Sequence, residues 1–72
     1  MSKYDWSNVP DDVQWIAMDQ DGVFNGFYKK PEIVDYHNMW FELPAGMGDF
    51  IQVRPIVMGC FNWRDSLEER PK

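Results

Sequence analysis

The chain is poor in the residues that small proteins use as staples. Its 72 residues include one cysteine, Cys60, and one histidine, His37. No internal disulfide can form, and a metal site built from Cys and His alone is out of reach. No apolar run approaches membrane-spanning length, and no charged start leads into an apolar core of the kind that marks a secretory signal. Basic residues are scarce too: seven Lys and Arg stand against twelve Asp and Glu, for a formal net charge of −5. That balance lacks the basic footprint of a nucleic-acid binder. A single free cysteine suits a reducing cytoplasm.

What the chain has in quantity is aromatic side chains: four Trp, three Tyr and five Phe, 17% of the sequence, in a chain whose mean hydropathy is only −0.53. A single domain of this length, spanning residues 1–72, is close to marginal stability. Dense aromatic packing or self-association must replace the missing staples. The acids are unevenly placed, with five against one base up to Tyr28 and seven against six bases beyond it. An acidic N-terminal side serves solubility and also permits attachment to a basic surface, DNA mimicry included.

The organising stretch is Trp15 to Lys30, two apolar runs meeting at Asp19-Gln20-Asp21-Gly22. Gly22 takes positive φ at no steric cost, and Asp19 can accept a hydrogen bond from the backbone two residues on. A three-residue loop with a glycine bulge sets Asp19 opposite Val23. Met18 then pairs with Phe24, Ala17 with Asn25, Ile16 with Gly26, Trp15 with Phe27 and Gln14 with Tyr28. Alternation puts Val13, Trp15, Ala17, Asn25 and Phe27 on one face, and Gln14, Ile16, Met18, Phe24 and Tyr28 on the other. Neither face is clearly polar, so both are expected to be covered.

Further along, strand one is expected over 14–18 and strand two over 23–29, ended by Pro31. Residues 32–37 read as a connection, 38–43 as strand three and 44–49 as a breaker-rich turn. Strand four is expected over 50–57, as an edge or with a bend at Pro55, and 58–62 offers a short fifth segment. Residues 63–70 permit one or two helical turns. Before the fold, 1–10 is a polar lead-in anchored by Trp6. The expected fold is mainly β: a small antiparallel meander of four to five strands with a short C-terminal helical segment.

Candidate chemistry is thin. Asp19-x-Asp21-Gly22 resembles half of a calcium loop but lacks the further oxygen ligands and the distal Glu. His37, Asp35 and Cys60 would suit nucleophilic work only if the fold brought 37 to 60. Gly46-x-Gly48 has no cation within its loop to favour a phosphate. No catalytic residue, metal site or cofactor is expected, and the chain reads as a non-enzymatic protein. Rings outnumber what one small sheet can hide, and surplus apolar area on a small protein marks an interface. Phe24, Tyr28, Trp40, Phe50 and Arg54 are the candidate partner- or ligand-binding residues, since aromatic and Arg groups are frequent anchors of hot spots.

Two stretches carry a resemblance. W-I-A-M-D-Q-D-G at 15–22, followed by K-K-P at 29–31, and N-W-R-D-S-L-E-E-R-P at 62–71 resemble a group of short accessory proteins of tailed bacteriophages, mostly of unknown function. The resemblance implies expression in a host bacterial cytoplasm and supplies no catalytic residues. W-F-E-L-P-A-G at 40–46 and V-R-P-I-V at 53–57 are similar to the end of a small T7-type phage protein that inhibits host RNA polymerase, which would make Arg54 a contact residue. These features set three expectations. The first is an accessory protein that binds and inhibits a host component, such as a bacterial defence system. The second is a homo-oligomer that sequesters a nucleotide signal, with Trp or Tyr stacking the base and Arg54 holding a phosphate. The third is a virion component. Partners are then a host protein or a second copy, with no direct nucleic acid and no membrane.

Overall fold

The computed structural model describes residues 3–34, 38–42 and 50–71. The fold is mainly β, with antiparallel strands and no α-helix among the described residues. The strands are β1 (Tyr4–Asp5), β2 (Trp15–Met18), β3 (Phe24–Phe27), β4 (Pro31–Val34), β5 (Met39–Glu42), β6 (Phe50–Gln52), β7 (Ile56–Val57) and β8 (Glu68–Glu69). Four of them form the central sheet in the order β6-β3-β2-β8, while β1 pairs with β7 and β4 with β5.

The β2–β3 hairpin has the expected register from Trp15 opposite Phe27 to Met18 opposite Phe24. Its loop closes as the turn chemistry requires. The Gly22 N–H donates to the Asp19 carbonyl and the Asp19 N–H to the Val23 carbonyl, each at 2.9 Å. Gly22 sits at φ 90°, a conformation glycine adopts without strain. One detail differs. The carboxylate that accepts from the backbone two residues on belongs to Asp21, bonded to the Val23 N–H at 3.0 Å, and Asp19 is left for a longer-range contact.

At the other end, Gln14 does not pair with Tyr28. Its N–H donates to the Phe27 carbonyl at 2.9 Å, so Gln14 and Trp15 together oppose one residue of β3. An extra residue of this kind reverses the alternation beyond it. Val13 therefore leaves the Trp15 and Ala17 face and joins Ile16, Tyr4, Val9 and Val53 in a buried cluster, with Trp6, Phe24, Tyr28 and Phe61 packed around it. Ala17, Phe27 and Trp40 form a second buried cluster on the opposite face, flanked by Trp15, Ile33, Trp63 and Leu67. Both faces of the hairpin are thus covered.

Three expectations are corrected. Of the connection expected over 32–37, residues 32–34 belong instead to β4, opposite β5 from Pro31–Glu42 to Val34–Met39. Pro31 starts this strand, a position where its missing N–H is tolerated. The single strand over 50–57 is two, β6 and β7, which flank Pro55 and pair with different partners. The C-terminal helical piece is one 3₁₀ turn, Trp63–Asp65, capped by the Asn62 carboxamide oxygen, which accepts the Arg64 N–H at 3.1 Å. The tail then extends as β8 beside β2. The expected turn at 44–49 lies outside the described residues, as do Asp35 and His37.

The tail is stitched to the N-terminal segment. The Lys3 N–H and the Trp6 indole donate to the two Glu68 carboxylate oxygens at 2.6 and 2.8 Å. The Tyr4 hydroxyl donates to the Ser66 carbonyl. The Arg70 guanidinium donates to the Val13 and Pro10 carbonyls at 2.7 and 2.6 Å and lies over the Trp6 ring at 4.7 Å.

Candidate docking surface

The five candidate binding residues do not converge. Phe24 and Tyr28 are half-buried against the Tyr4 cluster, and Phe24 meets the Tyr4 ring edge-on at 5.7 Å. Trp40 belongs to the other face and is buried at 7% exposure. Both of its N–H donors are engaged, the backbone one by Asp19 and the indole by the Trp63 carbonyl at 3.2 Å. Phe50 leans on Phe27, with ring centroids 5.8 Å apart, and is 47% exposed. Arg54 is exposed, two residues past the end of β6.

Most of the aromatic surplus is covered within the chain itself. Of Trp15, Phe24, Phe27, Tyr28, Trp40, Phe41, Phe50 and Trp63, only Phe50 is exposed. Three half-buried tryptophans carry a cation over the ring: Arg70 on Trp6, Lys30 on Trp15 at 6.0 Å and Arg64 on Trp63 at 4.8 Å. Such stacking shields an aromatic face with a group that keeps its charge in water.

Among the described residues, the open apolar surface is concentrated between 50 and 58. Ile56, Val57 and Met58 are exposed at 52%, 40% and 60%, and Ile51 at 36%. Sequence reasoning missed these four. The available signal was Pro55, which confines its segment to a sheet edge and so leaves the neighbouring Ile and Val side chains less covered than in a central strand. β7 is held against β1 with Ile56 opposite Asp5 and Val57 opposite Tyr4, and the Met58 N–H continues the contact to the Lys3 carbonyl at 2.7 Å. The strip thus borders the acidic N-terminal segment. The Asp5 carboxylate accepts the Ser7 N–H at 2.9 Å, and that bond holds its pKa below the usual aspartate value, so the negative charge beside Ile56 is retained under mildly acidic conditions.

β6 is the second open feature. Its inner side bonds to β3, with Phe50, Ile51 and Gln52 opposite Phe27, Gly26 and Asn25, and no strand lies beyond it among the described residues. The opposite sheet edge, β8, carries Glu68 and Glu69.

Among the described residues no three His, Cys, Asp or Glu side chains are grouped to hold a metal. No helix among them is long and apolar enough to cross a membrane. Cys60 is exposed. The fold and surface define a small antiparallel β domain with an exposed apolar segment on one side. No protein-family model, no curated protein and no solved structure matches the chain.

Proposed function

We propose that this chain is a non-enzymatic phage accessory protein that acts in the host bacterial cytoplasm by binding and inhibiting a host component, a defence system being the leading target. The observation that carries the binding role is the exposed strip Ile56, Val57 and Met58 beside the ionised Asp5. Exposed apolar side chains on a short strand of a small domain suit a protein contact, and the −5 net charge steers a partner with a basic rim.

The phage reading rests on the resemblance, and its two stretches are spatial neighbours. β8, within 62–71, pairs with β2, within 15–22. They form scaffold, while the open strip lies in 50–58, outside both stretches. Specificity for a host target would then reside in the exposed side chains of 56–58, which pair with β1 and not with the central hairpin.

Pull-down from host lysate with the intact chain, beside Ile56→Ser and Met58→Ser, tests this. Both positions are exposed, so stability should move by no more than about 0.5 kcal/mol. The expected result is one host protein captured by the parent chain and lost with either variant, with association slowing as salt is added. Equal capture by all three chains, or capture of nothing, would overturn the reading. A thermal shift with a nucleotide panel separates the alternative of a sequestered nucleotide signal, since a bound ligand raises Tm.

A further inference from the structure

We infer that the open edge of β6 is completed by β6 of a second copy of this chain, paired antiparallel with Gln52 on the two-fold axis. The inference rests on the reading of 50–58 as an interaction segment, and it assigns β6 to self-pairing while β7 faces the other partner.

The ladder fixes which backbone groups are available. The Val53 N–H donates to the Phe24 carbonyl at 3.0 Å, and Ile51 lies opposite Gly26. In an antiparallel pair alternate residues turn their N–H and C=O to the same side. Ile51 and Val53 therefore bond inward to β3, and Phe50 and Gln52 turn their backbone groups to the outer edge, beyond which no strand lies among the described residues. Pro55 shares the parity of Ile51 and Val53, so its missing donor falls on the inner side and leaves the outer edge intact.

Self-complementarity selects the occupant. β6 is Phe50, Ile51 and Gln52, without a charge, and the first charged residue after it is Arg54. With Gln52 opposite Gln52 of the second copy, Arg54 falls opposite Phe50 of that copy, on the same sheet face. A guanidinium is thereby placed on an exposed ring twice per dimer. The chain already uses this pairing on Trp6 and Trp63. The same operation on β8 would set Glu68 or Glu69 against a glutamate of the second copy, which like-charge opposition disfavours. A strand edge without charge, proline or bulge is the kind that pairs with another chain, and an isologous contact closes after two subunits.

The register gives a sharp test. Cα atoms of a hydrogen-bonded antiparallel pair lie about 5.5 Å apart, inside the range a disulfide spans. In a Cys60→Ser background, Gln52→Cys should form a covalent dimer under mild oxidation. Arg54→Cys should not, because its two copies would be about 14 Å apart along the strands. Sedimentation of the parent chain should show a monomer–dimer equilibrium that strengthens with salt, as screening relieves repulsion between two acidic subunits.

Gln52→Pro removes an outward N–H only. It should weaken dimerisation by about tenfold or more, the effect of two lost hydrogen bonds, with the circular dichroism of the fold unchanged. A single-chain mass at all concentrations, cross-linking at 54 in place of 52, or a Gln52→Pro chain that dimerises like the parent would overturn the inference. These measurements use pure protein. A failed dimer with successful host capture therefore sinks this inference alone, and the reverse outcome sinks the proposed function alone.

Discussion

The Asp19 carboxylate accepts the Trp40 backbone N–H at 2.9 Å and so joins two hairpins that share no ladder. Its other oxygen accepts the Asn25 side-chain amide at 3.0 Å, and the Gln20 N–H adds a bond to the Asn38 carbonyl at 3.2 Å. The β4–β5 hairpin is thereby hung from the loop of the β2–β3 hairpin, and Trp40 is carried into the cluster with Ala17 and Phe27. Asp19 is 6% exposed, so these bonds form where water does not compete freely.

Removing that carboxylate should be felt in stability. Asp19→Ala leaves the Trp40 N–H and the Asn25 amide without their acceptor in a buried setting, at a cost of about 1–3 kcal/mol. A fall in the urea midpoint with unchanged slope would report it. An unchanged midpoint would mean that the two hairpins are held together by packing alone.

The same residue imposes a pH dependence. Burial pushes the Asp19 pKa up, against the lowering effect of the Trp40 N–H and with Asp21 adding to the rise. A carboxyl whose folded pKa exceeds its unfolded value binds protons more tightly when folded, so its contribution to stability grows as pH falls from neutral through the raised pKa. It levels off below the unfolded value of about 3.9. The stability of the parent chain relative to Asp19→Asn should therefore shift in the parent's favour between pH 7 and pH 4, measured by denaturant titration at each pH. A pH-independent difference would show that Asp19 does not titrate in this window.

Ser66 acts as a one-residue extension of β8. The ladder to β2 ends at Glu68 opposite Ile16, which leaves Met18 without a backbone partner on that side. The fully buried Ser66 hydroxyl accepts the Met18 N–H at 2.7 Å and sits 2.6 Å from the Trp63 carbonyl, to which it donates. Ser66→Ala strands that N–H and should cost about 1–3 kcal/mol, with faster hydrogen exchange at the Met18 amide. Slow exchange in the variant would disprove the role.

Gly26 is required by a close approach. A Cβ there would meet Val13 Cγ1 at 2.7 Å and Val53 Cγ1 at 3.0 Å. Gly26→Ala should destabilise by about 1–3 kcal/mol through overpacking. In a Val13→Ala background the same substitution should cost less, because residues in contact are not additive. Equal costs in both backgrounds would place the strain elsewhere.

Local chemistry was enough to specify the β2–β3 hairpin, its loop and its pairing from Trp15–Phe27 to Met18–Phe24, though not the extra residue at Gln14, because Asp-Gly turn geometry and period-two alternation act within a dozen residues. The mainly β class followed from the same run of short apolar segments punctuated by Gly and Pro. Tertiary structure decided the rest. Tyr4 looked like part of a polar lead-in, yet its hydroxyl meets Ser66 across 62 residues and its ring is buried at 1% exposure. Asp19 looked like a turn residue, and its partner Trp40 lies 21 residues away. Of the rings expected to meet a partner, Phe24, Tyr28 and Trp40 are packed inside, while Phe50 is left outside with Ile56, Val57 and Met58. Composition fixes how much apolar surface a chain has. Which part stays exposed depends on long-range pairings, whose closure no local pattern encodes.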